Sequence, residues 1–183
     1  MSGASTCGIC VLAGGLSTRM GRDKARLRLG ARTLLAEVRV VARQLDLPLR
    51  VIRRDLVPRC GPLGGVYTGL KTSANGAELF LACDMPFVSV AFLKRLLGAI
   101  RSRDDAVFTT VDGLAGFPFV VRCKALTRVA RQIAREQFTM QKLARALKAR
   151  LVRIDPSRAG PLFNVNTPAE LATARRRLKA LAG

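Results

Sequence analysis

Apolar positions along the chain fall into short continuous runs separated by longer stretches of helical spacing. Ile9 to Ala13 is apolar throughout and reads as a buried strand. Leu34, Leu35, Val38, Val41 and Leu45 recur at helical spacing after Thr33, a residue suited to cap that helix. Leu49 to Ile52 reads as a second strand. Gly61-Pro62-Leu63-Gly64-Gly65 reads as a loop, and Val66 to Thr72 as a short helix after it. Leu79 to Cys83 is another buried strand, ended by Asp84-Met85-Pro86. A helix follows from Ser89, with Phe92, Leu93, Leu96, Leu97 and Ile100 on one side. Ala106 to Thr110 and Phe117 to Val121 are strands joined across the turn-forming Asp112-Gly113. Leu126 to Leu147 has helical periodicity, broken at Gln137-Phe138-Thr139. Leu151 to Ile154 reads as a last strand. Thr167-Pro168-Ala169-Glu170 is a capping box with proline at the first helical position, and Leu171, Ala174, Leu178 and Leu181 continue that helix.

Strands alternating with helices predict a mostly parallel sheet covered on both faces. Sites in such sheets lie beyond the carboxyl ends of the strands. Three polar segments fall at such ends: the loop after Ala13, Asp55 and Asp84. A length of 183 residues fits a single domain spanning 1–183.

Composition narrows the chemistry. The chain has no histidine, so acid–base, nucleophilic or metal chemistry through imidazole is excluded. Five cysteines at irregular spacing make no disulfide framework. Cys7 and Cys10 form a C-x-x-C, but no second pair completes a zinc site, and the pair precedes and enters a strand instead of opening a helix. No apolar run is long enough to span a membrane, and the first six residues lack a basic signal-like start, so a cytoplasmic location is expected. The net charge of +20 raises the question of nucleic acid. Its basic residues are spread over helix faces, however, and aromatics are only 5%, too few for base stacking. A solvated Arg-rich surface accounts for most of that charge, with room for a site that takes a small polyanion.

The segment Leu12-Ala-Gly-Gly-Leu-Ser-Thr-Arg-Met-Gly-Arg-Asp-Lys24 fits that role. Glycines let backbone N–H groups approach an anion, and Arg19, Arg22 and Lys24 can neutralise it. Five residues separate Gly15 from Gly21, and Arg22 follows, so this is not a Walker A loop; nor is it the G-x-G-x-x-G of dinucleotide folds. Lys24 is the leading phosphate ligand. Asp84, at a strand mouth and stiffened by Pro86, is the leading ligand for a hard cation such as Mg²⁺, which binds through one or two carboxylates plus phosphates; capping of the next helix is its other reading, although Ser89 lies nearer. Asn164 and Asn166 flank Val165 and would point the same way from an extended segment.

Together these residues resemble the molybdenum cofactor guanylyltransferase family, within the sugar-nucleotide type of nucleotidyltransferases. The matching pieces are Leu12–Lys24, Asp55, Gly61-Pro-Leu-Gly-Gly65, Cys83-Asp-Met-Pro86 and Asn164-Val-Asn-Thr-Pro-Ala-Glu-Leu171, in the family's order over nearly the whole chain. The resemblance implies a three-layer α/β/α Rossmann-like fold. It implies transfer of GMP from GTP to molybdenum-bound molybdopterin, with pyrophosphate released. By position, Leu12, Ala13, Gly14, Gly15, Lys24, Asp55, Gly61, Pro62, Leu63 and Asp84 would bind the nucleotide. Lys24, Asp84 and Arg19 would be catalytic, Asp84 would hold Mg²⁺, and Asn164 and Asn166 would meet the second substrate. Other cofactor-biosynthesis proteins and recipient molybdoenzymes are the implied protein partners. Leu-Ala-Gly-Gly resembles guanine-selecting members, where cytidylyl relatives tend to read Leu-Ala-Ala-Gly. Two departures stand out: Arg53-Arg54-Asp55 replaces a stretch that usually carries a nucleotide-contacting Asn, and Gly116-Phe117-Pro118 stands where many relatives have His or Gln before the Pro. A related nucleotidyltransferase with another phosphorylated acceptor, and a non-catalytic nucleic-acid-binding module, are the competing readings.

Overall fold

A computed structural model describes residues 6–14 and 23–182. Its centre is a six-stranded sheet. In chain order the strands and helices begin with β1 (Cys7–Leu12), the two-residue strands β2 (Arg28–Leu29) and β3 (Arg32–Thr33), α1 (Leu34–Arg43), β4 (Leu49–Ile52), α2 (Pro62–Lys71), β5 (Ala77–Ala82) and α3 (Val90–Ala99). They continue with β6 (Ala106–Val111), β7 (Leu114–Arg122), α4 (Leu126–Ala134), α5 (Met140–Ala146), β8 (Arg150–Arg153) and α6 (Pro168–Ala182).

The sheet order is β4-β1-β5-β7-β6-β8. β4, β1 and β5 run parallel, as do β6 and β8, but β7 runs antiparallel to both of its neighbours. The expectation of a mostly parallel sheet holds with this one reversal. It follows from the tight turn at Asp112-Gly113, where both residues take positive φ (49° and 76°) and send β7 straight back beside β6.

Alternation along the strands splits the core into two faces. Cys10, Phe80, Phe108 and Phe119 pack against Leu63, Val66 and Leu70 of α2, Val129 of α4 and Leu143 of α5. Ile9, Val11, Leu79 and Leu81 pack against Leu35, Val38 and Ala42 of α1 and Leu93 and Leu96 of α3. Helices therefore cover both faces, which is the three-layer arrangement. Cys7 packs with the second face and Cys10 with the first. Residues three apart in a strand point to opposite sides, so this C-x-x-C cannot act as a pair.

The helix starts follow their capping residues. Thr33, Ser89 and Thr139 accept from the N–H groups of Ala36, Phe92 and Lys142. A smaller cluster of Leu29, Leu34, Val165, Leu171 and Ala174 seats α6 against the β2–β3 hairpin, an element the sequence pattern did not disclose. At the amino-terminal end of β5, Glu78 is fully buried. Its Oε1 accepts from Arg50 Nη2 at 2.8 Å and Asn75 Nδ2 at 3.1 Å, with Ser73 Oγ also donating. A Cβ on Gly8 would crowd the Asn75 amide and the Glu78 carboxylate.

Candidate active site

The parallel strands β1, β4 and β5 end side by side. Leu12 is in register with Ile52 on one side and Ala82 on the other. The chain continues in step beyond them, with Ala13 N donating to Ile52 O (2.8 Å) and Cys83 N donating to Leu12 O (3.1 Å). A cleft of about 460 Å³ opens over this edge. It draws lining residues from every segment singled out in the described sequence: Leu12, Ala13 and Gly14, Lys24, Asp55, Gly61 and Pro62, Asp84, and Asn164 with Asn166. Gly15 and Arg19 lie outside the described residues.

Gly14 lets the chain leave β1 against β4. A Cβ at this position would stand 2.7 Å from Arg53 O. Pro62-Leu63-Gly64-Gly65, expected as a loop, is instead the first turn of α2. Proline is favoured at a helix start because its missing N–H has no partner to lose there. Gly61 precedes it at φ +55°, and no side chain caps the helix. Gly61 and Pro62 line the cleft, so this end of α2 brings the positive end of the helix dipole to it. Leu63 is corrected by this finding. As the second residue of a helix that packs on the sheet, it turns inward, is fully buried in the core and does not line the cleft.

Asp55 sits against the same first turn. A Cβ on Gly64 would lie 2.8 Å from Asp55 Oδ2 and 2.7 Å from Val57 O, so glycine makes the room this carboxylate occupies. Thr68 holds the segment down, accepting from Leu56 N and donating to Gly64 O, both at 2.8 Å. Burial pushes the Asp55 carboxyl above the usual range.

On the other side of the cleft, Lys24 opens a short 3-10 turn that Asp23 caps by accepting from Ala25 N at 2.9 Å. Lys24 Nζ donates to Asn166 Oδ1 at 2.7 Å and lies 3.3 Å from Asp84 Oδ2. Lys24 and Asp84 each keep about a fifth of their side-chain surface in solvent (20% and 19%). Burial raises the Asp84 carboxyl, and the Lys24 ammonium opposes that rise. Asn166 is fixed from behind, since Glu170 Oε2 accepts from both Asn166 N (2.7 Å) and Thr167 N (2.8 Å). The predicted capping box is thus present, and it also holds a site residue. Val165 N donates to Asp84 O at 2.9 Å, joining the asparagine segment to the end of β5.

Among the described residues, no group of three or more His, Cys, Asp or Glu is arranged to hold a metal alone. Asp84 is a single carboxylate at the cleft floor, which fits a hard cation that completes its shell with phosphates and water. Sequence reasoning gave no role to Asp23, Ala25, Ile52, Gly65, Ala82 or Cys83, which also line the cleft. Asp23 and Ala25 flank Lys24 and Cys83 precedes Asp84, while Ile52, Gly65 and Ala82 lie two or three residues from a residue it did select. It noted Phe117 only as a departure, and this ring lines the cleft as well.

Residues 9–154 match the family model described as MobA-like NTP transferase domain. The chain belongs to this family. This MobA-like chain is a nucleotidyltransferase by that membership. It is 33% identical to a protein of Opitutus terrae named "Probable molybdenum cofactor guanylyltransferase", over 95% of this chain and 97% of the relative. Its fold is similar to that of molybdopterin-guanine dinucleotide biosynthesis protein A from Archaeoglobus fulgidus, with a TM-score of 0.71 at 20% identity over 94% and 99% of the two chains. It is similar too to 2-C-methyl-D-erythritol 4-phosphate cytidylyltransferase from Thermus thermophilus, with a TM-score of 0.70 at 18% identity over 93% and 98%. Those two likenesses establish the Rossmann-like architecture of the MobA-like chain. One fold carries proteins named for guanine and for cytidylyl chemistry, so the choice of base rests on the cleft. Among the described residues, no helix is long and apolar enough to cross a membrane.

Proposed function

We propose that this chain is a molybdenum cofactor guanylyltransferase, working as one domain. It transfers GMP from GTP to molybdenum-bound molybdopterin and releases pyrophosphate. The observation that carries this reading is the meeting of Lys24, Asp84 and Asn166 at one point of the cleft. A cation, a hard-metal carboxylate and an amide from the far end of the chain converge where the two substrates' phosphates must meet. Its curated relative carries the same activity in its name.

The reaction is an in-line displacement. An oxygen of the acceptor's phosphate attacks the α-phosphorus of GTP. The bond from that phosphorus to the bridging oxygen breaks, and pyrophosphate leaves with the electron pair. The attacking phosphate is ionised near neutral pH, so no general base is needed, which suits a chain without histidine. The backbone after β1 and the open end of α2 receive the nucleotide. Asp55 stands at the cleft wall opposite Lys24 and accepts N–H or O–H donors from base or ribose. Lys24 gives up its bond to Asn166 or Asp84 to take a phosphate oxygen, and catalysis comes from positioning and charge. A Mg²⁺ ion held by Asp84 and the phosphates would supply further neutralisation of the charge that builds on the leaving oxygens. All five cysteines are free, which suits a reducing cytoplasm, where recipient molybdoenzymes would take the product.

Thermal unfolding with GTP, CTP or ATP, each with Mg²⁺, tests the nucleotide. The largest stabilisation is expected with GTP, and a preference for CTP would favour a cytidylyl reaction instead. With GTP, Mg²⁺ and molybdenum-bound molybdopterin, Lys24→Ala should release pyrophosphate on the order of 10²-fold more slowly or worse. A rate near that of the wild type would remove Lys24 from the mechanism.

A further inference from the structure

The nucleotide cleft has a neighbour. A second cavity, of about 560 Å³, lies under the β6–β7 hairpin, and Phe117 and Asn164 line both. Phe117 is half-buried, and its ring centre lies 4.8 Å from that of Phe119. Phe119 stacks on Phe108 at 4.3 Å, and neither of these two has any exposed surface. The dividing ring is therefore braced by the core. The opposite wall is the segment from Pro156 to Phe163. It is braced as well, because Gly160 O accepts from Arg177 Nη1 at 2.7 Å and that guanidinium lies 4.4 Å over the Phe87 ring.

The lining differs from that of the first cleft. Among the described residues, no Lys or Arg lines the second cavity, in a chain with 32 basic residues among 183. Its walls are apolar, with Leu114 at the rim still 63% exposed. Asp112, in the hairpin turn at φ 49°, is the one carboxylate among the described lining residues. A phosphate finds no counter-charge among these described lining residues. A flat heterocycle has apolar walls for its faces and a carboxylate to accept from N–H donors along one edge.

We propose that this cavity holds the heterocyclic body of the acceptor, with Phe117 as the specificity-determining wall between the two substrates. The inference rests on the guanylyltransferase reading. The acceptor's ring lies against Phe117 with its amino-amide edge toward Asp112. Its phosphate passes Asn164 into the first cleft, where Lys24 stands. A pterin has such an edge, with two N–H donors that one carboxylate can accept together.

Pterin is itself fluorescent, so its binding can be followed by titration of the intact chain. Saturable binding to the wild type is expected, undiminished by GTP with Mg²⁺. Leu114→Asp, at an exposed rim position, and Phe117→Ala should each weaken pterin at least tenfold. Leu114→Asp should keep the thermal shift given by GTP with Mg²⁺, which also shows that this variant is folded. Three results would overturn the proposal: no pterin binding by the wild type, unchanged affinity in Leu114→Asp, or displacement of pterin by GTP, which would put it in the nucleotide cleft. Absence of a GTP shift in the wild type would count against the nucleotide reading alone and leave the pterin titration to decide this one.

Discussion

Lys24 has two protein partners, Asn166 and Asp84. Its bond to Asn166 is the shorter, at 2.7 Å, and Asn166 owes its position to Glu170. Hydrogen bonds from the Asn166 backbone, and then from Thr167, hold the Glu170 carboxyl below its ordinary value of 4.5. A depressed carboxylate contributes stability above its unfolded pKa and loses it as pH falls through the folded one. Wild-type stability should therefore drop below about pH 4.5 more steeply than that of Glu170→Gln, a difference that urea melts across the acid range would register. An equal pH dependence would show that the carboxylate is not stabilised in this way. Asp84 has the opposite sign: burial raises its pKa, so its charge costs stability at neutral pH, a cost that a bound cation would offset. At this scale the sequence was informative. Lys24, Asp84, Asn164 and Asn166 were all singled out from the sequence, and the structure brings them to one cleft. That Lys24 would bond directly to Asn166 was not, since 142 residues separate them.

At the scale of elements, α2 was the least legible in sequence. Gly and Pro in Gly61–Gly65 argue for a loop on local grounds. The same residues start a helix because Pro62 fits its first turn, Gly64 admits Asp55 beside it and Gly65 leaves room for Leu12. Gly64→Ala tests that account. Its Cβ would meet Val57 O and Asp55 Oδ2 at 2.7 and 2.8 Å, so the 55–57 segment must move. We expect a loss of about 1–3 kcal/mol in stability from overpacking, together with a clear loss of the thermal shift from GTP. A full nucleotide shift with normal stability would show that Asp55 does not need this seat. The caps at Thr33, Ser89 and Thr167 were legible because a side chain and an N–H two or three residues on decide them. The β2–β3 hairpin was not, for strands of two residues leave no period to detect.

On the scale of the whole molecule, the reversed strand β7 separates what local patterning shows from what only packing shows. Each strand of the six-stranded sheet was readable, but strand order depends on pairings such as Phe80 with Phe119, distant in sequence. All the parallel strands start at the pole that buries Glu78 and finish at the pole that carries the cleft. Glu78→Ala would leave Arg50 without its carboxylate at the first pole. Loss of a buried pair suggests about 3 kcal/mol, at the low end because Arg50 is partly exposed. That corresponds to roughly 6–12 °C in melting temperature, with the GTP shift of the remaining folded protein intact. A variant that lost GTP binding while keeping its melting temperature would contradict this division of labour. The Glu170 carboxylate has a consequence of another kind. One oxygen closes the first turn of α6 and also steadies the amide that Lys24 uses, so helix fraying and ligand occupancy are thermodynamically linked. Whatever free energy a ligand gains from an ordered Asn166, it must return to the helix as protection. Amide hydrogen exchange along the first turns of α6 should slow when the cleft fills. The C-terminal helix would then report on a site to which it contributes no side chain.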